Sequence, residues 1–184
     1  MKTVTYQGLK FVPYIKKDEI MAQVQRVAME LTRDLKDAEN PLFLVVLNGS
    51  FMFAADLYRN CNLPNAEISF VRYKSYSGLG TTGNAKLMGS YQTDLSDRDV
   101  IIVEDIVDTG YTAEQMLKDI EALSPRSVKF VTLLYKPESN LTGFCPDYWC
   151  FEIPSKFILG YGLDLDEKGR GLDEIYVLAD EADE

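Results

Sequence analysis

This 184-residue chain contains no histidine, three cysteines and one tryptophan. Without imidazole, neither a Ser-His-Asp nor a Cys-His nucleophile can be built, and His-ligated zinc is excluded. Proton transfer near neutral pH therefore falls to a carboxylate, Lys, Tyr or Cys with a tuned pKa. The cysteines (Cys61, Cys145, Cys150) are few and odd in number, which argues against a disulfide frame and fits a reducing compartment. Long apolar runs are missing too: the longest, 42–47 and 100–103, fall far short of a membrane span. Residues 1–7 carry no signal-peptide core, so the expectation is a cytoplasmic protein without a membrane partner. Positive charge is also scarce, with 19 Lys and Arg against 29 Asp and Glu. An acidic chain lacks the phosphate-neutralising surface of a general nucleic-acid binder, and none is expected as a partner.

What remains is enough for one domain spanning 1–184 with a proper core. The stretch from Val100 to Thr112 organises it. Val100-Ile101-Ile102-Val103 reads as a strand buried on both faces. Glu104 and Asp105 interrupt it, and Asp108-Thr109-Gly110-Tyr111-Thr112 follows. From Tyr111 the spacing becomes helical, through Ala113, Met116, Leu117, Ile120 and Leu123. A buried strand, a hydroxyl-bearing loop and a helix N-terminus make an anion site, because the first-turn N–H groups point out of the helix. Asp, Thr and Gly also serve as ordinary caps and turns. Capping uses one carboxylate, however, and the other two would only repel each other. They make sense if something cationic, or rich in hydroxyls, sits above the strand end.

The rest of the chain alternates strands and helices. Residues 1–16 read as irregular or edge structure. A helix is expected over 18–35, a strand over 42–47 ending in the turn Asn48-Gly49-Ser50, and a helix over 51–58. A strand over 66–74 leads into residues 75–84, which hold three glycines and five hydroxyls. That is loop composition. A returning strand over 86–92 and a polar connection over 94–99 precede the central motif. Further strands are expected over 127–134, 147–153 and 175–178. The fold class is therefore α/β, a doubly wound, mainly parallel sheet flanked by helices. The N-terminal segment and about 145–184 are expected to form a small hood. In such sheets ligands bind beyond the carboxyl ends of the strands. Asn48, Glu104 and Lys136 stand at such ends.

Val103-Glu104-Asp105-Ile106-Val107-Asp108-Thr109-Gly110 resembles the phosphoribosyl-pyrophosphate (PRPP) binding motif of the type I phosphoribosyltransferases. Segments from Leu47 to Leu172 resemble, more narrowly, the hypoxanthine-guanine branch of that family. The resemblance implies transfer of ribose 5-phosphate from PRPP to N9 of hypoxanthine, and of guanine, with release of pyrophosphate. It implies that Asp108, Thr109, Gly110, Tyr111 and Thr112 hold the 5-phosphate, with Asp108 also the acid–base group at the purine N7. Glu104 and Asp105 would meet the ribose hydroxyls and, with Asp164, the metal, Mg2+. Asn48, Gly49 and Arg170 would hold the pyrophosphate. The family commonly has Lys at the position of Asn48, so the charge is missing there and the backbone role alone carries over. The peptide between Leu47 and Asn48 is expected to be cis. Lys136 would donate to the purine O6, Phe157 would stack on the ring, and the backbone of Ile158 would meet its edge. Ser75 and Tyr76 match residues of a lid that excludes water. A homodimer or homotetramer is implied. Two rival readings stay open: a PRPP-sensing relative that binds nucleic acid, and a nucleotide-binding module without turnover.

Overall fold

The computed structural model describes residues 3–75 and 85–179. In chain order, β1 (Val4–Tyr6) and β2 (Leu9–Ile15) form a hairpin, followed by α1 (Lys17–Asp34), β3 (Leu42–Leu47) and α2 (Phe51–Asn60). β4 (Glu67–Ser75), β5 (Ala85–Leu87), β6 (Asp99–Val107), α3 (Tyr111–Glu121) and β7 (Ser127–Tyr135) come next. β8 (Tyr148–Glu152), β9 (Ile158–Leu159) and β10 (Ile175–Leu178) end the order. α1 begins with Asp18 and Glu19 in its first turn, where acids favour the positive end of the helix dipole. The Glu19 carboxylate also accepts from the Lys16 N–H at 3.0 Å.

Side-chain alternation along β3 and β6 decides the layering. Phe43, Val45, Ile101 and Val103 point one way and pack with Ile20, Val24 and Leu31 of α1 and Phe53 and Leu57 of α2. Leu42, Leu44, Val46, Val100 and Ile102 point the other way and pack with Ala113, Met116 and Ile120 of α3. With period 2, apolar residues at every position bury both faces of a strand. The result is a six-stranded sheet in the order β5-β4-β3-β6-β7-β8, parallel except for β5, with helices on both sides. The carboxyl ends of β3, β6 and β7 therefore open on the same edge, as the doubly wound reading requires.

β1, β2, β10 and β9 form a second, antiparallel sheet over Phe11, Leu159 and Tyr176. This is the hood, and it differs from expectation in two ways. β2 is an inner strand between β1 and β10, so residues 9–15 are neither irregular nor an edge. β8 pairs with β7 in the large sheet, so residues 148–152 belong there and the C-terminal share of the hood starts later. Two further elements are shorter than the spacing predicts: β5 ends at Leu87, and α3 ends at Glu121, leaving Leu123 exposed. No helix among the described residues is long and apolar enough to cross a membrane.

Candidate active site

The edge common to β3, β6 and the β6–α3 loop carries a cleft of about 540 Å³, with Glu104, Asp105, Asp108, Gly49, Asp164 and Arg170 on its wall. Thr109, Gly110, Thr112, Asn48 and Tyr73 line it as well. Four chain segments that are far apart in sequence thus meet at one point.

At one end, β6 runs into the loop before α3. Gly110 is the N-cap residue and has φ 89°, a left-handed conformation that favours glycine. A side chain there would also strike the Thr142 hydroxyl. The loop is pinned from outside: Lys136 N–H donates to Val107 O at 2.9 Å, and Leu141 N–H to Thr109 O at 2.9 Å. Thr109 and Thr112 stand on the cleft wall beside the first turn of α3, an arrangement able to receive an anion. Tyr111 opens α3 but does not line the cleft.

Between the ends stand Glu104 and Asp105. Burial pushes the Glu104 carboxyl well above the ordinary carboxylate range, and the neighbouring Asp105 charge adds to the shift. Burial raises Asp105 as well, against the opposing pull of the Arg170 charge. Glu104 Oε2 is covered and has no hydrogen-bond partner among the described residues. A buried acceptor left unsatisfied is costly, and its persistence marks a place where a donor or cation belongs. Gly49 packs directly over the Asp105 carboxylate, so closely that any Cβ would overlap it.

The far end is built on the β3 turn and the 160–170 loop. The Leu47–Asn48 peptide is cis, as the resemblance implies. Arg170 donates through Nη1 to Gly162 O at 2.8 Å and pairs through Nη2 with Asp164 and Glu167, each at 2.8 Å. Asp164 in turn accepts from the Glu167 N–H at 2.7 Å. Glu104, Asp105 and Asp164 share the cleft, yet among the described residues no three acidic or thiol groups gather closely enough to hold a metal ion by themselves. Asp164 is engaged by Arg170.

Lys136 is only 7% exposed, and its Nζ lies 3.1 Å from Asp108 Oδ2. The sequence places both residues at the cleft but gives no sign of this ion pair. Lys136, Phe157 and Ile158 are not on the cleft wall. Phe157 is a solvent-facing aromatic of the hood, 47% exposed, with its ring 6.1 Å from that of Phe11. Ile158 is buried and pairs with Val177. Ser75 closes β4, whereas Tyr76 and the rest of the expected lid lie outside the described residues. Three residues escape the sequence reading. Tyr73 lines the cleft and its hydroxyl meets Tyr91 at 2.7 Å and Asp119 at 3.1 Å. Arg72 and Glu167 both touch the side chain of Asn48. Nothing in their local sequence separates them from surface charge.

A family model described as a phosphoribosyl transferase domain matches residues 15–166, and the chain belongs to that family. It is 36% identical over 177 residues to a hypoxanthine-guanine phosphoribosyltransferase of Streptococcus mutans, covering 95% of this chain and 96% of that one. The corresponding figures for the Streptococcus agalactiae protein of the same name are 38% over 175 residues, with 94% and 95% covered. Among solved structures, a hypoxanthine phosphoribosyltransferase of Trypanosoma cruzi in complex with the product IMP is similar with TM-score 0.86 and 33% identity, over 97% of this chain and 98% of that one.

Proposed function

We propose that this chain is a purine salvage enzyme that moves the 5-phosphoribosyl group of PRPP onto N9 of hypoxanthine, and of guanine, giving IMP or GMP and pyrophosphate. The observation that carries this reading is the cleft itself. An anion-binding loop stands at one end, Arg170 at the other, and two buried carboxyls lie between them. That order of charges matches a sugar bearing a phosphate on one side and a diphosphate on the other. The relatives named above add to it.

In this reading the amides and hydroxyls of 108–112 anchor the 5-phosphate. Glu104 and Asp105 accept from the ribose hydroxyls and favour the positive charge that develops on the sugar as the C1–O bond to pyrophosphate breaks and the C1–N9 bond forms. Asp108 handles the purine proton through N7. Lys136, already desolvated, pairs with Asp108 in the free protein and turns toward O6 when the base is bound. Phe157 offers an exposed ring for stacking. The oxygen donors suit a hard divalent ion such as Mg2+, which Glu104 and Asp105 would hold together with the substrate, with Asp164 on the same wall. When bound, that ion neutralises charge on the departing pyrophosphate.

Three free cysteines accord with a cytoplasmic protein. Ile68 and Phe70 alternate on the exposed face of β4, with Met88 beyond β5, and support association of two copies. The nucleic-acid-binding alternative finds no support in a net charge of −10. The test is pyrophosphate release from PRPP and Mg2+ with hypoxanthine, guanine, xanthine, adenine or uracil. Turnover with hypoxanthine and guanine, abolished by excess EDTA, is expected. Binding of PRPP without turnover of any base would contradict the enzyme reading, and turnover undiminished by EDTA would remove the metal.

A further inference from the structure

The pyrophosphate end of the cleft contains more than Arg170. Arg72 lies on β4, whose parallel register sets it beside Leu47, next to the turn. Its Nη2 donates to Asn48 Oδ1 at 2.7 Å. The nitrogen of the same amide reaches Glu167 Oε2 at 3.5 Å. A donor on the amide oxygen and an acceptor beside its nitrogen fix which way the Asn48 side chain faces. Glu167 also accepts from Arg170, through Nη2 at 2.8 Å and Nε at 3.3 Å. One exposed carboxylate therefore collects donors from two separate elements, with the Arg72 charge behind them. The Arg170 hydrogen bonds and charge, and then Asn48 and Arg72, hold the Glu167 carboxyl below its ordinary range.

Those donors recognise an oxygen anion, and Glu167 is the chain's own. A phosphate group offers the same chemistry with more charge and more acceptor oxygens. Arg170 is already matched by Asp164 and Glu167. Arg72, among the described residues, is engaged by the neutral Asn48 amide alone. Two guanidinium groups and two carboxylates balance here, so moving Glu167 away leaves the positive excess that a diphosphate needs.

We propose that Asn48 and Arg72 complete, with Arg170, the receptor for the substrate's diphosphate, and that Glu167 sits in it as an internal anion which the diphosphate displaces. The inference rests on the phosphoribosyltransferase reading. Asn48 has no charge of its own, so Arg72 supplies through the amide what a cationic side chain at that turn would supply directly. The two charged residues then act in opposite directions. Losing Arg72 weakens diphosphate binding, and losing the Glu167 charge strengthens it.

The experiment titrates wild type, Arg72→Gln, Arg72→Lys and Glu167→Gln with inorganic pyrophosphate in Mg2+, and separately with IMP, by calorimetry. Arg72→Gln is expected to weaken pyrophosphate about 10-fold, the scale of one charge-assisted hydrogen bond. Arg72→Lys should retain most of the affinity, Glu167→Gln should bind pyrophosphate more tightly than wild type, and IMP affinity should stay constant throughout. Wild-type pyrophosphate affinity in Arg72→Gln, an equal loss of pyrophosphate and IMP, or weaker pyrophosphate binding by Glu167→Gln would each overturn the inference. A wild-type protein that binds neither ligand would instead bring down the phosphoribosyltransferase reading, and this inference with it.

Discussion

The two ends of the cleft are made differently. The ribose-phosphate end comes from one continuous run, 103–112, in which a buried strand delivers carboxyls and a helix delivers amides. Its groups are poorly matched within the protein: among the described residues Glu104 Oε2 has no hydrogen-bond partner, and burial raises the Asp105 carboxyl. The pyrophosphate end is gathered from β3, β4 and the 160–170 loop, and its polar side chains already bond one another. One end is unsatisfied and waits for ligand contacts. The other is satisfied and must exchange its partners. The difference suggests a division of labour: the first end stabilises the charge that develops on the sugar, and the second grips and releases a leaving group.

Breaking the first end should give the largest effect. Asp108→Asn keeps the loop but removes the charge facing the base, and kcat should fall about 10²–10⁴-fold, the usual range for lost general acid–base catalysis. PRPP affinity should change little, because in the proposed reading amides and hydroxyls hold the 5-phosphate. Asp108 is 45% exposed, so its ion pair with Lys136 adds little stability, and the variant should melt near wild type. A folded Asp108→Asn protein with wild-type kcat would place the acid–base group elsewhere.

Gly49→Ala tests how closely the two ends are joined. The new Cβ would displace the Asp105 carboxylate. Misplacement of about 1 Å can cost about 10²-fold, so kcat/KM for PRPP should drop by that order. Unchanged PRPP kinetics would show that Asp105 position is not critical.

Lys136→Ala sharpens the purine side. Loss of a charge-assisted hydrogen bond of about 1.5–3 kcal/mol should lower kcat/KM for hypoxanthine and guanine, leaving PRPP binding close to wild type. Equal losses for PRPP and purine would mean that Lys136 serves the fold through Asp108.

The smallest effect is one of stability, with the opposite sign. Glu104→Gln removes a covered carboxyl oxygen that lacks a partner, and the new amide can donate to Asp105. The melting temperature at neutral pH should rise while PRPP use suffers, a trade-off expected where a site is kept at the fold's expense. A lower melting temperature would show that Glu104 contributes to stability as it stands.

The same contrast explains what was legible in the sequence. The β6–α3 end could be read because a single local pattern, apolar run to acids to Gly-bearing loop to helical spacing, encodes it. Lys136 was legible as a strand-end residue, but its pairing with Asp108, 28 residues away, depends on the β6–β7 register. Arg72 and Glu167 were invisible because only parallel pairing of β3 with β4 and the turns of the 160–170 loop bring them to Asn48. The hood was half legible. Pro13 in the middle of β2 argues against an inner strand, but the β2–β10 ladder shifts register at Ile175/Tyr176, next to the pairing of Tyr176 with Pro13, and so accommodates it. Phe157 could be named but not placed, since which way the residue just before a two-residue strand faces depends on the whole hood sheet.

The central claim is that the cleft has two separable ends, and hydrogen exchange with partial ligands tests it most directly. Backbone amides buried against a ligand exchange more slowly. Ribose 5-phosphate alone should protect amides of 108–112 and leave 48–50 and 164–170 unchanged. Pyrophosphate with Mg2+ should do the reverse, and PRPP should protect both. Protection of the same segments by both fragments, or of neither segment by PRPP, would contradict the account.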